Sequence, residues 1–278
     1  MEQESHSPMI RIRGVKKRLA GKWVLNGVDL SIPAGETHVV IGRSGEGKSV
    51  LLKHLCGLFQ PDEGEVWIDG QEISRLTEKE LYPVRAKIGL LFQGAALFDS
   101  LTVKENVGFS LYEHDHLSEL EIENRVLDNL KMVRLGNVLD KMPSELSGGM
   151  RKRVGLARAI TRRPKIILYD EPTTGLDPVT ADAINDLIVH LSQELKVTSV
   201  VVTHDLASAF KVGNKFSMLF EGKIIYTGTP DEVRKTENPY IRQFIDGKAE
   251  GPLTGLPVGQ EEDNLSVQPV ESRKSVKQ

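Results

Sequence analysis

Gly42-Arg43-Ser44-Gly45-Glu46-Gly47-Lys48-Ser49 is a complete G-x-x-x-x-G-K-[ST] phosphate loop. It follows His38-Val39-Val40-Ile41, a run apolar enough to lie buried in a sheet, and opens into a helical stretch from Lys48 to Leu58 that Pro61 stops. Strand, loop and helix in that order are the context the motif requires, and they predict a nucleotide-binding α/β fold. Glycines let backbone N–H groups close around phosphate oxygens, and the helix N-terminus adds partial positive charge. Lys48 is the residue expected to neutralise the β and γ phosphates, and the Ser49 hydroxyl is expected to ligate Mg2+.

Outward from the loop, short β-like runs come first. Ile10, Ile12 and Gly14-Val15 suggest one strand, and Val28, Leu30 and Ile32 alternate with polar neighbours as in a half-buried one. Val66-Trp67-Ile68 with Asp69-Gly70 predicts a further strand and a tight turn. From about Gly94 the character changes: Ile122, Val126, Leu127, Leu130 and Val133 keep helical spacing, so a helical insert is expected. Ser147 then sits where a helix N-cap would be, ahead of Arg151 to Ile160. Ile166 to Tyr169 is a continuous apolar run, as in a parallel strand covered on both faces, and it ends in Asp170-Glu171. A carboxylate at that strand end can hold Mg2+, and Glu171, pointing differently, can polarise an attacking water. Asp177-Pro178 caps a helix whose stripe is Ile184, Leu187, Ile188, Leu191 and Leu195. Val197 to Thr203 makes the next strand, and Glu221-Gly222 turns a hairpin.

Composition bounds the rest. The 278 residues, 39% hydrophobic and 27% charged, suit an ordinary globular protein of one or two domains. A net charge of −3 offers no argument for nucleic acid. No apolar run approaches the ~18 residues that suggest a membrane span, and Met1 to Pro8 is polar and acidic, without the apolar core of a signal peptide. Cys56, the single cysteine, has no partner for an internal disulfide and reads as a buried core thiol in a reducing compartment. A cytoplasmic chain is expected, with any membrane role coming through a partner.

The order of phosphate loop, Leu146-Ser147-Gly148-Gly149 and acidic pair is that of an ATP-binding cassette. From Met9 to about Gly247 the chain resembles the ATPase subunits of ABC transporters. It resembles most closely the ATPase of Mla/Mce-type lipid transporters, the group also named for toluene tolerance. The closer match is carried by Gly89-Leu90-Leu91-Phe92-Gln93-Gly94-Ala95-Ala96-Leu97-Phe98-Asp99-Ser100-Leu101-Thr102-Val103 and by Met142-Pro143-Ser144-Glu145-Leu146-Ser147-Gly148-Gly149-Met150. The resemblance implies a P-loop NTPase of ABC type, α/β in class. It has a mainly parallel core sheet, an N-terminal antiparallel β subdomain and an inserted α-helical subdomain at about 94–160. The cassette is expected over 9–246, with a disordered C-terminal tail over 247–278.

Residue by residue, the resemblance implies that Gln93 contacts Mg2+ and the water and senses the γ phosphate. Ser147, Gly148 and Gly149 match the signature segment, which meets the ATP of the other subunit. Gly175-Leu176-Asp177 matches the loop linking the two sites. His204 matches the switch histidine on the γ phosphate, and Glu171 takes the role of general base or water-orienting residue. ATP and Mg2+ are the implied ligands. The implied partners are a second copy, a transmembrane permease, an MCE-domain lipid-binding protein and a small regulatory subunit meeting the segment after the cassette; no nucleic acid is expected. The implied location is peripheral, at the cytoplasmic face of the inner membrane.

Two departures stand out. Leu19 occupies the place where this family usually stacks an aromatic residue on adenine, with Trp23 close enough in sequence to substitute. Met150 replaces the glutamine that follows LSGG in many importers, in agreement with the lipid group. The apolar Gly94 to Phe98 reads either as the groove for a permease helix or as packing inside the insert. Arg151-Lys152-Arg153 reads better as a solvated helix face near the nucleotide, with two of the three on one exposed side, than as a phosphate or nucleic-acid contact. The alternatives to a lipid transport motor are a polar-solute importer ATPase and a soluble ABC ATPase. Sugar importers usually append a large β-rich domain, for which 247–278 is too short and too polar.

Overall fold

The computed structural model describes residues 8–114 and 117–255. Three two-residue turns start the architecture. β1 (Ile10–Leu19) and β2 (Lys22–Ile32) are joined through Ala20-Gly21. β4 (Glu63–Ile68) and β5 (Gln71–Glu72) are joined through Asp69-Gly70, and β9 (Lys215–Phe220) and β10 (Lys223–Gly228) through Glu221-Gly222. All six turn residues have positive φ, the geometry whose twist matches a hairpin, with glycine second in each. The first two hairpins form an antiparallel sheet of order β2-β1-β4-β5.

The second sheet has the order β10-β9-β3-β8-β7-β6, with β3 (Thr37–Ile41), β6 (Ile88–Leu91), β7 (Ile166–Asp170) and β8 (Thr198–Thr203). From β9 to β6 its strands are parallel, and β10 pairs antiparallel at the edge. Every residue of β3, β7 and β8 is buried, as expected of parallel strands covered on both faces. α1 (Lys48–Leu55) joins the two sheets. Its Leu51, Leu52 and Leu55 share one core with Ile10, Ile12 and Ile32 of the first sheet and with Leu168, Val200 and Val202 of the second. α1 stops short of Leu58 because Gly57 turns left-handed, at φ +67°.

α2 (Glu78–Arg85) precedes β6. Between β6 and β7 lie α3 (Val103–His114), α4 (Glu119–Met132) and α5 (Gly148–Ile160), packed on one another. α6 (Pro178–Leu195) connects β7 to β8, α7 (Leu206–Val212) follows β8, and α8 (Pro230–Lys235) follows β10. No helix among the described residues is long and apolar enough to cross a membrane.

The residues up to Thr236 form one unit, and those from Glu237 another. In the second, α9 (Pro239–Asp246) is capped by Asn238, which accepts from the Tyr240 and Ile241 backbones. The structureless tail is expected to begin at Gly247, yet Lys248 to Gly255 carry defined turns. There Gln243 accepts from Leu253 N at 2.7 Å and donates to the carbonyl of Lys248 at 3.2 Å. The rest of that expected tail lies outside the described residues.

Candidate active site

Parallel pairing brings the motifs together. Ile41 pairs with Thr203, Asp170 with Val202 and Leu91 with Tyr169, so β3, β8, β7 and β6 end along one sheet edge. Each strand end hands over to a different segment: the phosphate loop after Ile41, His204 after Thr203, Glu171 after Asp170, and Phe92-Gln93 after Leu91. They surround a cleft of about 340 Å3, lined by Ser44, Gly45, Gly47, Lys48, Ser49, Gln93, Glu171 and His204, with Leu19, Val24 and Val50.

The loop is held for anion binding. α1 is capped by Gly47, which has no side chain to satisfy the first-turn N–H groups, and its opening residues carry no acid. Those N–H groups and the positive helix end face the cleft. Gly47 has φ +100°, and a Cβ there would lie 2.9 Å from Val24 Cγ1. At Gly42 a Cβ would lie 2.5 Å from the Leu219 carbonyl oxygen. Buried Lys48 donates to the carbonyls of Gly42 at 2.8 Å and Arg43 at 3.0 Å, and its Nζ lies 3.5 Å from Glu171 Oε1. Glu46 turns elsewhere: its Oε2 accepts from Glu221 N at 2.8 Å, tying the loop to the β9–β10 turn.

The acidic pair divides its work by geometry. Asp170 Oδ1 accepts from Ser49 Oγ at 2.7 Å. Burial pushes the Asp170 carboxyl above its ordinary range; the Ser49 bond opposes this, and the Glu171 charge adds to it. A hydroxyl beside a carboxylate strained by desolvation is a hard-oxygen pair, and the chemistry suits a small divalent cation completed by phosphate and water. Glu171 stands in the left-handed region at φ +47°, with its N–H bonded to Val202 O at 3.0 Å. Its Oε2 lies 2.9 Å from His204 Nδ1 and accepts from the hydroxyls of Thr174 at 3.2 Å and Thr203 at 3.4 Å. A nearly buried carboxylate is thus aimed into the cleft between a lysine and a histidine.

The remaining expected residues lie elsewhere. Ser147, Gly148, Gly149 and Asp177 do not line the cleft. Ser147 caps α5 by accepting from Met150 N at 3.3 Å, and Asp177 caps α6 by accepting from Val179 and Thr180 N at 3.1 and 3.0 Å. The two helix starts adjoin: a Cβ on Gly149 would lie 2.5 Å from Thr180 Cγ2, and one on Gly148 3.3 Å from Leu176 Cδ2. Ser147 and Asp177, the two caps, are exposed. Leu19 lines the cleft whereas Trp23 does not; Trp23 is 40% exposed, with the Arg18 guanidinium 4.4 Å over its ring.

Of Arg151, Lys152 and Arg153, two of which are expected on one exposed side, Arg151 is exposed and Arg153 half-buried, while Lys152 is 5% exposed. It donates to the carbonyls of Gln93 and of Glu171, the latter at 3.3 Å. Burial pulls it down to about 8, against the opposing charges of Asp170 and Glu171. The signal was in the spacing: Lys152 follows Gly149 by three residues and precedes Gly155 and Leu156 by three and four, all on the buried face of α5. Thr174 and Thr203, which hold Glu171, carry no motif.

The sequence profile described as "ABC transporter" matches residues 25–174. The chain is 41% identical over 244 residues to the probable ribonucleotide transport ATP-binding protein mkl of Mycobacterium leprae, covering 88% of this chain and 70% of that one. It is 37% identical over 245 residues to the intermembrane phospholipid transport system ATP-binding protein MlaF of Haemophilus influenzae, covering 88% and 93%. The ATP-binding cassette MJ0796, in a dimeric post-hydrolysis state bound to ADP and Pi, matches with a TM-score of 0.75 and 36% identity over 80% of this chain and 99% of that one. On this geometry and these likenesses the chain belongs to the ABC transporter family, as an ATP-binding cassette that hydrolyses ATP.

Proposed function

We propose that this cassette, working as a pair of identical copies, powers the movement of phospholipid through a partner permease. The observation that carries the pairing is that Ser147-Gly148-Gly149 and Asp177 do not line the phosphate-loop cleft of their own chain and instead stand together at the starts of α5 and α6. Exposed Ser147, at the positive N-terminal end of α5, suits the γ phosphate of an ATP held by a second copy. The dimeric state of MJ0796 supports this reading.

Within one such site, the phosphates lie on the α1 N-terminus and Lys48 neutralises them. Glu171, fixed by His204, Thr203 and Thr174, orients the attacking water and takes up its proton. His204 and Gln93 contact the γ phosphate and the water. A bound Mg2+, held by Ser49, Asp170 and Gln93, would neutralise charge on the phosphates as it develops. Positioning and electrostatics account for most of such a phosphoryl transfer.

A groove of about 700 Å3 lies beyond Gln93, lined by Leu90, Phe92, Ala96, Phe98, Phe109 and Arg158 among others. Phe98 and Phe109 are 45% and 37% exposed with ring centroids 4.8 Å apart, an apolar patch that suits a cytoplasmic helix of the permease. Ala95, by contrast, is buried, so the apolar 94–98 stretch serves both packing and groove. The lipid cargo rests on the Gly89–Val103 and Met142–Met150 stretches and on the MlaF likeness at 93% of that chain. An MCE-domain protein and a small regulatory subunit complete the proposed assembly, at the cytoplasmic face of the cell membrane.

The test is to tag the chain in its native cells, solubilise membranes gently and identify what co-purifies by mass spectrometry. A multi-span permease, an MCE-domain protein and phospholipid are expected. A permease with a soluble-solute receptor, or ribonucleotide as in the name of the M. leprae relative, would discard the lipid cargo. Recovery only from cytosol, on ribosomes or DNA, would discard transport.

A further inference from the structure

Three non-glycine residues near the two clefts, Ala95 at φ +64°, Ala96 at φ +46° and Glu171 at φ +47°, stand in the left-handed region that L residues avoid. Helix α5 holds the carbonyl of each one. Arg158 donates to Ala95 O at 2.7 Å and to Ala96 O at 2.8 Å. Lys152 donates to Glu171 O at 3.3 Å and also to the carbonyl of Gln93. The peptide of Glu171 is therefore fixed from both sides, its N–H by Val202 on β8 and its carbonyl by the helix that begins at Ser147.

We propose that Lys152 is a positioning residue for ATP hydrolysis, tying the signature helix α5 to the backbones of Gln93 and Glu171. A left-handed residue keeps its side-chain direction only while its neighbours hold its peptide planes. Rotation of the Glu171 peptide would swing its carboxylate away from His204 and Lys48. An apolar side chain could fill the space around Lys152 without the cost of burying a charge. What the ammonium adds is charge-assisted bonds to two carbonyls on separate strand ends, β6 through Gln93 and β7 through Glu171. Lys152 does not line the cleft, so it acts through the residues that do. It also gives the exposed start of α5 a direct line to the hydrolytic carboxylate. The ATP of the second copy, met by Ser147, and the water that Glu171 orients in its own cleft are then linked through one rigid element. This rests on the role given to Glu171.

The test uses the purified full-length chain with Lys152→Met, Lys152→Gln and Lys152→Arg. Readouts are kcat and KM for MgATP, affinity for a non-hydrolysable ATP analogue, and thermal unfolding. For Lys152→Met, kcat is expected to fall about 10- to 100-fold, the scale on which small misplacements of reacting groups act. KM and analogue affinity should stay within about twofold, because the phosphate loop is untouched. Lys152→Arg should recover most of kcat, and Lys152→Gln, a neutral donor of shorter reach, should fall between. If Lys152→Met does not fold, the Gln and Arg pair carries the same comparison. Parental kcat in Met or Gln overturns the proposal. So does a parallel loss of kcat, analogue affinity and melting temperature that arginine does not rescue. Glu171→Gln is measured alongside: parental turnover there would remove the premise about Glu171 while the Lys152 series still reports on the helix contact.

Discussion

Replacing Glu171 by glutamine isolates the charge from the shape. The amide keeps the side chain's size, and its carbonyl oxygen can still accept from Thr203 and Thr174, which now bond Oε2 at 3.4 and 3.2 Å. What disappears is the negative charge 3.5 Å from Lys48 Nζ and 2.9 Å from His204 Nδ1. Two consequences pull apart. The attacking water loses its base, and positioned bases contribute about 10²- to 10⁴-fold, or roughly 3–5 kcal/mol of barrier. ATP binding moves the other way. The carboxylate that competes for Lys48 and repels the γ phosphate is gone, so affinity should equal or exceed that of the parent. Single-turnover phosphate release and fluorescent-nucleotide titration separate the two. Size exclusion with ATP should then show a persistent pair of chains. Turnover within about threefold of the parent would refute the base assignment, since that is barely 0.7 kcal/mol. A large loss of ATP affinity would refute the electrostatic reasoning around Lys48.

Other consequences are separately measurable. Leu19→Ala should weaken ATP binding by about 5- to 10-fold, the scale of losing part of a buried aliphatic contact. Trp23→Ala, outside the cleft, should leave nucleotide affinity unchanged by the same titration. Gly149→Ala should cost about 1–3 kcal/mol by overpacking against Thr180 Cγ2, 2.5 Å from the added Cβ. Gly149→Ala with Thr180→Ser, which deletes that methyl, should recover melting temperature beyond additivity. Asp69 accepts from Lys87 and Lys165 at 2.7 and 2.9 Å, and the Lys87 bond first, then Lys165, holds its carboxyl below the ordinary 3.8. Its stabilisation is complete above 3.8 and is lost as the pH falls through the lower folded value. Asp69→Asn should therefore flatten the acid side of a stability profile followed by urea unfolding.

The chemistry of this chain is written in short windows, and that is why so much of it can be read before folding. A phosphate loop works through eight consecutive residues, Gly42 to Ser49, and a strand-end acid pair through two. Turns such as Asp69-Gly70 and Glu221-Gly222 declare themselves because positive φ selects glycine locally. The parallel sheet is legible because strands buried on both faces are apolar throughout, as in Ile166 to Tyr169. Short helices hide more easily. α2 contains Pro83 and little apolar periodicity, and its one clear mark is the capping box of Thr77 and Glu80. α7 is shown mainly by its cap, Asp205.

Other features depend on contacts between residues far apart in the chain, and no local pattern encodes them. Whether Leu19 or Trp23 meets the nucleotide is set by which face of a hairpin turns toward the phosphate loop, and a register shift between Lys17 and Arg18 helps set that face. Glu171 meets His204 because β7 pairs with β8 in one register, Asp170 beside Val202. The Ser147 helix start stands away from the cleft of its own chain because α5 packs on α3, α4 and β6. Lys152 looks like one more surface cation among Arg151 and Arg153. Packing turns it inward, where burial converts an ordinary lysine into a bond between two strand ends. Residue identity supplies the reactive groups; the long-range pairing of strands and helices supplies their distances, and hydrolysis requires both.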